Sequence, residues 1–314
     1  MMRPASRSTV PADAVPHSWV DGAPQLVQPY LRLMRLDRPI GAELLFLPCI
    51  FGLAVGAAVQ HRGFASAGDL ALPALFGLGS IVMRGAGCTY NDIVDRDIDA
   101  KVARTRGRPI PSGAVGVRAA WIFLALQCAT GLVILLQLNP FSIALGSGSL
   151  VLIALYPFMK RVTWWPQAWL GLTFNWGALL GFSAETGSLA LPAWLLYAGC
   201  FFWTLGYDTI YAHQDAEDDA LVGVKSTARL FGAHSRPWIA AFYACAIACI
   251  GAAMWFSTAR TWTLFLLAPA GLHFLWQVRR LDQGDTTRCL TIFRSNRDTG
   301  LLIGAALVTA SYVH

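Results

Sequence analysis

Acidic residues are concentrated in two short segments of the chain. Nine of the 18 acidic residues lie there. They are Asp92, Asp95, Asp97 and Asp99 in the first segment, and Asp208, Asp215, Glu217, Asp218 and Asp219 in the second. Carboxylates held close together repel each other, and Mg²⁺ is usually bound by one or two carboxylates together with the phosphate oxygens of a substrate. The two segments therefore predict a site for Mg²⁺ and a diphosphate, whereas acids that only solvate helix ends do not explain two such concentrations.

The spacing within each segment suits a helix face. Asn91, Asp95 and Asp99 follow one another at intervals of four residues. Because each residue turns an α-helix by about 100°, the three side chains share one face within about 80° if the helix continues through them. Asp215 and Asp219 repeat the interval. We predict that the two segments lie at matching depths and face each other across a central cavity.

Basic residues follow both acidic segments. They are Lys101, Arg104, Arg106 and Arg108 after the first, and Lys225 and Arg229 after the second. Ammonium and guanidinium groups donate charge-assisted hydrogen bonds to phosphate oxygens, so we predict that these side chains hold oxygens that the metal does not reach. For each of them the alternative is a residue that only sets membrane topology. Two glycines and two prolines between positions 107 and 113 predict a turning loop that covers the site.

The composition is that of a membrane protein. The 314 residues are 55% hydrophobic and 13% charged, with a mean hydropathy of +0.50, which is too apolar for a soluble domain of this size. Windows of about 18 to 22 apolar residues, the length that crosses a hydrocarbon core of roughly 30 Å, recur nine times. They cover approximately 39–60, 69–91, 117–137, 140–158, 165–184, 189–212, 236–256, 261–278 and 298–313. We predict an all-α polytopic fold.

Charge predicts the orientation of these windows. Of the 24 Lys and Arg residues, nearly all fall in the N-terminal tail or in loops after even-numbered windows, which places those parts in the cytoplasm. Residues 1–30 have no continuous apolar core, so they are expected to be a polar cytoplasmic tail and not a secretory signal. Arg3 and Arg7 leave a transit peptide possible, although Asp13 and Asp21 argue against one. We predict that 31–314 forms a single transmembrane domain.

The acidic segments also resemble known motifs. NDIVDRDID (91–99) has the form NDxxDxxxD, and DTIYAHQDAEDD (208–219) contains DxxxD. These are similar to the two aspartate-rich motifs of the UbiA family of intramembrane prenyltransferases. Four further segments match the family: RLMRLDRPIG (32–41), RTRGRPIPSG (104–113), YPFMKR (156–161) and GVKSTARLFG (223–232). A lone DxxxD would be weak, but several motifs in order, from about residue 28 to the C-terminus, make the resemblance specific.

The resemblance implies a fold and a reaction. The fold is nine transmembrane helices around a central cavity that opens to the cytoplasm and to lipid. The set of motifs looks like the branch that uses Mg²⁺ and a polyprenyl diphosphate to alkylate 4-hydroxybenzoate ortho to its hydroxyl, in ubiquinone biosynthesis. The expected partners are polyprenyl diphosphate, 4-hydroxybenzoate and membrane lipid, and no nucleic acid. The expected location is a bacterial inner membrane, with the mitochondrial inner membrane as the alternative.

The resemblance also implies roles for individual residues. The implied metal ligands are Asn91, Asp92, Asp95, Asp99, Asp215 and Asp219. The implied catalytic residues are Asp95, Asp99, Asp208, Asp215, Asp219 and Arg161. The implied substrate contacts are Asn91, Arg35, Arg84, Lys101, Arg108, Tyr156, Lys160 and Lys225. Arg84 lies within an apolar window, where an arginine needs a partner, and we predict that it meets the 4-hydroxybenzoate carboxylate or an acidic motif.

One departure and several alternatives stay open. Glu43 stands where this branch is expected to have an apolar or small residue, and it must pair, take up a proton or reach the interface. A Glu43 that faces the cavity would repel a benzoate.

Other acceptors in related branches are haem, chlorophyllide, homogentisate and a naphthoate. An ion transporter is a different class, but the acids gather on one side and no pair of broken helices in an inverted repeat is apparent. A purely structural subunit would not need the two motifs.

Overall fold

The computed structural model describes residues 18–64, 70–102 and 105–313, and within these ranges the chain forms helices and no β-strand. The α-helices, in chain order, are α1 Gln28–Leu33, α2 Ile40–Val59, α3 Ala71–Asp99, α4 Val117–Leu135, α5 Pro140–Val162, α6 Pro166–Phe174, α7 Trp176–Thr186, α8 Leu191–Ala212, α9 Ala216–Val222, α10 Thr227–Phe231, α11 Ser235–Thr258, α12 Ala268–Arg280, α13 Thr286–Arg294 and α14 Asn296–Ser311. Three 3₁₀ segments occur at Trp19–Gly22, Gly232–His234 and Thr261–Leu267. The all-α prediction is confirmed.

Helices occupy the predicted apolar windows wherever the chain is described. Five helical runs are long and apolar enough to cross a membrane: Ile40–Val59, Ala71–Asp99, Val117–Leu135, Pro140–Val162 and Thr227–Thr258. The other windows hold α8, the short α14, and two helices that are interrupted. A count of nine spans is therefore not confirmed by length and hydropathy.

Local chemistry explains where several helices begin and end. Asn139 accepts a hydrogen bond from the Ser142 backbone N–H (2.9 Å), and Pro140 then opens α5. Gly187 (φ 74°) ends α7 and Gly223 (φ 75°) ends α9, both in the left-handed conformation that glycine adopts without strain. The break between α6 and α7 falls at Asn175, whose side chain donates to the Gly171 carbonyl (2.8 Å). A side-chain donor to this carbonyl competes with the backbone N–H that would otherwise continue the helix.

The chain forms two compact units. The first comprises Met1–Gly41 and Ile81–Val133, and the second comprises Ala42–Ser80 and Ile134–His314. The described part of the first unit is centred on α1, the second half of α3 and the loop before α4. Its buried apolar side chains are Leu33, Ile93, Ile110, Val115 and Ala120. Because Ile110 and Val115 belong to the loop, that loop is anchored in the core of the unit.

Small residues bring helices close together in the second unit. On α2, a Cβ at Gly52 would overlap the Ala178 carbonyl of α7. On α7, a Cβ at Gly181 would overlap the Cys49 carbonyl of α2. Gly56 and Gly177 complete a G-x-x-x-G pattern on each helix, the arrangement that lets membrane helices approach closely.

Helix α8 is mostly buried and packs along α11. Gly199 of α8 lies against Ile250, and Gly206 lies against the Tyr243 ring. Trp203 and Leu196 of α8 are fully buried. This helix carries Asp208 near its C-terminal end, so its packing positions the second acidic segment.

Candidate active site

The first acidic segment lies on one continuous helix. Helix α3 runs through Asp99, which confirms the condition for Asn91, Asp95 and Asp99 to share a face. Asp95 is fully buried, and Asp99 is 5% exposed. The two carboxylates and the Asn91 amide therefore present oxygen ligands from successive turns of α3. Their role as metal ligands remains a prediction.

Asp92 has a different environment from the shared face. Arg35 Nη2 donates to both Asp92 carboxylate oxygens (2.7 and 2.8 Å), and Arg108 Nη1 donates to Oδ1 (3.2 Å). Arg35 has a positive φ of 62°, and its Nη1 donates to the Arg32 carbonyl (3.0 Å). Both residues are buried. This geometry disfavours Asp92 as a metal ligand and Arg35 as a substrate contact, because the carboxylate and the guanidinium neutralise each other.

Arg108 links the loop before α4 to the first acidic segment. Its Nη1 donates to Asp99 Oδ2 (2.9 Å) as well as to Asp92. Thr105 Oγ1 donates to the Asp99 carbonyl (3.0 Å), so the loop is joined to α3 at two points. The Arg108 Nε is buried with no hydrogen-bond partner among the described residues. The predicted covering loop therefore carries a cation whose donors reach the carboxylates of the motif.

The other predicted cations of the first unit lie in two settings. Lys101, two residues after the end of α3, is exposed. Arg84 is half-buried on α3, and a Cβ at Gly41 would overlap its guanidinium, so Gly41 provides the space that Arg84 occupies. Arg106 is exposed, and Arg104 lies outside the described residues. The predicted partner of Arg84, the 4-hydroxybenzoate carboxylate or an acidic motif, stays a prediction. Glu43 is half-buried in the first turn of α2, and its role also stays a prediction.

The second acidic segment is divided between α8, which carries Asp208, and the separate short helix α9. Asp208 is half-buried on α8, and α8 ends at Ala212. Asp215 then precedes α9, and the Asp219 backbone N–H donates to the Asp215 carbonyl (2.7 Å). That bond gives Asp215 and Asp219 their separation of one helical turn. The spacing was predicted correctly, but the turn between Ala212 and Asp215 was not.

The basic residues of the second unit meet at the end of α5. Lys225 N–H donates to the Lys160 carbonyl (2.9 Å), and Lys225 Nζ donates to the Val162 carbonyl (3.1 Å). Lysine satisfies a C-terminal helix carbonyl and its negative dipole in this way. Arg229 lies over the Trp164 ring at 5.3 Å and donates to the Asp219 carbonyl (3.4 Å). The segment after α9 is thus tied to α5.

The YPFMKR residues occupy the last turns of α5. Tyr156 and Lys160 are half-buried, and Arg161 is exposed. Lys160 and Arg161 lie in the last turn, where their charge also complements the helix dipole. The structure brings Lys160 and Lys225 together through backbone contact. Direct contact of these side chains with a substrate stays a prediction.

Several polar residues inside the second unit were missed by the sequence reasoning. His213, two residues before Asp215, is 9% exposed, and its Nε2 has no hydrogen-bond partner among the described residues. Burial lowers the pKa of the His213 imidazole. Asn175 donates to Thr204 Oγ1 (2.7 Å), which donates to Tyr207 Oη (3.0 Å). For Asn175, Thr204 and Tyr207, the signal available in the sequence was a polar residue within an apolar window.

The donor set suits Mg²⁺ in part. Among the described residues, no group of three or more His, Cys, Asp or Glu side chains is arranged to hold a metal. Mg²⁺ rarely occupies an all-protein cage, and one or two carboxylates with substrate phosphate oxygens are its usual ligands. The oxygens of Asn91, Asp95 and Asp99 on one helix face fit that requirement, whereas Asp92 does not.

Comparison with known proteins places this architecture in one family. The sequence profile of the UbiA prenyltransferase family matches residues 45–297, which include both acidic segments. The chain is 47% identical to "4-hydroxybenzoate polyprenyltransferase, mitochondrial" of Rattus norvegicus, over 92% of this chain and 76% of that protein. The corresponding Homo sapiens protein is 47% identical over 92% and 77%. The Arabidopsis thaliana protein is 46% identical over 93% and 71%.

Solved structures agree with this assignment. A UbiA homolog from Aeropyrum pernix K1 superposes with a TM-score of 0.69 at 27% identity, covering 85% of this chain and 97% of that one. A UbiA homolog from Archaeoglobus fulgidus, bound to GPP and Mg²⁺, superposes with a TM-score of 0.64 at 19% identity, covering 90% and 99%. The second likeness concerns the fold alone. The chain belongs to the UbiA prenyltransferase family.

Proposed function

We propose that this protein transfers a polyprenyl group from polyprenyl diphosphate to the carbon ortho to the hydroxyl of 4-hydroxybenzoate, in ubiquinone biosynthesis. The observation that carries the proposal is the 47% identity, over 92% of the chain, to proteins named for that activity. The acidic face of α3 and the acidic segment after α8 supply the chemistry that such a transfer requires.

The acidic residues are proposed to bind the diphosphate through metal. Asn91, Asp95 and Asp99 would hold one Mg²⁺, and Asp215 and Asp219 would hold a second. When bound, Mg²⁺ offsets the negative charge that develops on the departing diphosphate. Asp95 and Asp99 are buried, which strengthens their attraction for a cation because the local dielectric is low.

The basic residues are proposed to hold the remaining diphosphate oxygens. Arg108 already has two carboxylate partners, so its guanidinium is oriented toward the first motif before any substrate is bound. Lys101, Lys160, Arg161 and Lys225 are the further candidates. Arg84 is proposed to bind the acceptor carboxylate, because a half-buried guanidinium within a membrane helix favours an anion.

The bond changes follow from this placement. The allylic C–O bond breaks, and both electrons leave with the diphosphate. The ring carbon ortho to the phenol hydroxyl then forms a C–C bond to the allylic carbon, and the ring loses its proton. Asp208 is the proposed proton acceptor, with the released diphosphate as the alternative. Apolar helices exclude water, which would otherwise capture the cation.

The cellular setting of the proposal follows the relatives. The named relatives are mitochondrial proteins, which supports the mitochondrial inner membrane as the proposed location and does not support the bacterial inner membrane that the sequence alone favoured. Residues 31–314 are proposed to act as one transmembrane domain. The polyprenyl tail is too long for a closed pocket and is proposed to leave laterally into lipid.

Prenyl transfer in isolated membranes tests the proposal. The assay combines a polyprenyl diphosphate with labelled 4-hydroxybenzoate, with Mg²⁺ or with EDTA. Asp95→Asn and Asp215→Asn are compared with Asp97→Asn, a control in the same segment as Asp95 whose side chain is 80% exposed. We expect a lipophilic labelled product that requires Mg²⁺. Its rate should fall by at least about 100-fold in both motif variants and stay unchanged in the control.

The assay separates the open alternatives. Diphosphate release that needs Mg²⁺ but gives no prenylated hydroxybenzoate would point to another acceptor, so labelled homogentisate and a naphthoate are tested in parallel. Ion flux through vesicles without any Mg²⁺-dependent turnover would contradict the enzyme and favour a transporter.

A further inference from the structure

A network of buried polar side chains connects four helices of the second unit. Asn296 Oδ1 accepts from Trp203 Nε1 of α8 (2.8 Å) and from Gln277 Nε2 of α12 (3.3 Å). Gln277 Oε1 accepts from Tyr243 Oη of α11 (2.6 Å), and Gln277 Nε2 donates to Thr299 Oγ1 of α14 (3.0 Å). Asn296, Gln277 and Thr299 are fully buried. Burying polar side chains among apolar helices costs free energy unless their hydrogen bonds are made. We therefore expect the geometry of this network to have a functional role.

Asn296 connects this network to the end of α13. Its Nδ2 donates to the carbonyls of Ile292 (3.2 Å) and Phe293 (3.3 Å). The Ser295 hydroxyl also donates to the Ile292 carbonyl (2.8 Å). The last carbonyls of a helix have no partner within that helix. One amide therefore fixes the end of α13 relative to Trp203 of α8.

The end of α13 carries an aromatic ring that lies on α8. The Phe293 ring is 4.5 Å from Tyr211 and 5.8 Å from Tyr207, between centroids. Tyr207, Asp208 and Tyr211 lie within an arc of about 100° on α8. Phe293 thus stands on the face of α8 that carries Asp208. Phe293, Tyr211 and Asp208 are half-buried, so part of each of these side chains stays accessible.

We infer that Asn296 is a positioning residue for prenyl transfer, which acts by holding Phe293 against Tyr211 beside Asp208. The inference rests on the proposed function. Aromatic faces and a carboxylate both attract positive charge. Aromatic faces next to Asp208 suit the electron-poor allylic carbon that forms when diphosphate leaves, and they suit an anionic benzoate less well. Displacement of Phe293 should therefore affect the chemical step more than the binding of diphosphate.

The test measures kcat and KM for Asn296→Ala and Phe293→Leu, each with polyprenyl diphosphate and 4-hydroxybenzoate as substrates. We expect kcat to fall by about ten- to a hundredfold in both variants, with the KM for polyprenyl diphosphate unchanged. Because Asn296 acts through Phe293, the double variant should be no slower than the slower single variant.

Thr299→Val is the matched control. Thr299 is equally buried on α14 and belongs to the same network, but it makes no hydrogen bond to Asn296 or to α13 among the contacts described. Its kcat should equal that of the wild type. Trp203→Phe removes the Nε1–H donor to Asn296 together with part of a buried ring, and it should lower kcat by about threefold with the same KM pattern. This variant supplies the test if Asn296→Ala does not accumulate in membranes.

Three outcomes would overturn the inference. The first is a kcat for Asn296→Ala that is as high as that of Thr299→Val. Where Asn296→Ala does not accumulate, the same result for Trp203→Phe would overturn the inference. The second is multiplicative losses in the double variant, which would make the two residues independent. The third is an equal change in kcat and in the KM for polyprenyl diphosphate. The wild-type assay separates this inference from the proposed function, since a wild type that forms no prenylated hydroxybenzoate contradicts the function itself.

Discussion

Asp92 and Asp95 are three positions apart on α3 and both fully buried, and Arg35 binds both carboxylate oxygens of Asp92. Removing one partner of a buried ion pair leaves the other charge unpaired and costs roughly 3 to 5 kcal/mol. We therefore expect Asp92→Ala to lower the melting temperature in detergent. The Mg²⁺ concentration for half-maximal turnover should not change in this variant, whereas Asp95→Asn should raise it.

The exposed Asp97 provides the control for both measurements, because Asp97→Ala should change neither stability nor Mg²⁺ requirement. A stable Asp92→Ala protein that needs more Mg²⁺ would restore Asp92 to the metal site.

Gln127 is a second polar residue whose burial is unusual. It is 4% exposed on α4 beside Gly85, and neither polar atom of its amide has a hydrogen-bond partner among the described residues. A buried polar group without a partner costs about 1 to 3 kcal/mol. Gln127→Leu should therefore raise the melting temperature and leave prenyl transfer unchanged. A less stable or inactive variant would show that the amide binds a water molecule or a ligand.

The contacts between α2 and α7 explain which glycines are important for stability. A Cβ at Gly52 or Gly181 would overlap a backbone carbonyl of the facing helix, which no rotamer change relieves. Gly52→Ala and Gly181→Ala should each cost about 1 to 3 kcal/mol, measured by thermal unfolding. Gly148→Ala on α5 is the control. No atom lies within 4 Å of a Cβ there, so that change should be neutral or stabilising. Equal effects at all three positions would contradict the close approach of α2 and α7.

Element boundaries were predicted less well than the elements. The window 165–184 contains two helices because the Asn175 amide binds the Gly171 carbonyl. The window 261–278 begins as a 3₁₀ helix before α12. Apolar content predicts that a segment lies in the membrane, but it does not register a break in backbone hydrogen bonding.

At the scale of the whole molecule, the number of membrane crossings depends on helices that hydropathy does not detect. The exposed faces of α4 and α5 are apolar, and only 11% of each hydropathy window is buried. Helix α8 has 22 residues, about 33 Å at 1.5 Å per residue, but its surface is mostly covered by protein. A covered helix tolerates Thr204, Tyr207 and Asp208, and these lower its hydropathy.

Cysteine labelling tests whether α8 crosses the membrane. Ser188→Cys, before α8, and Ala233→Cys, in the segment between α10 and α11, are both at exposed positions and are introduced after replacement of the native cysteines. A membrane-impermeant maleimide should label them from opposite sides. The positive-inside rule places Ala233 on the cytoplasmic side. Labelling of both from the same side would remove α8 from the spans and reduce the predicted count of nine.

The sequence by itself determined the features that depend on neighbours along the chain. Apolar runs of membrane length predicted the helices, and the four-residue interval placed Asn91, Asp95 and Asp99 on one face of α3. The ordered motifs were sufficient to predict the family. Only the tertiary structure decided the partners of buried polar groups. Arg35 and Asp92 are 57 positions apart, and Trp203 and Asn296 are 93 apart. Local periodicity carries no information about such pairs, because they are chosen by the packing of helices that are distant in the chain.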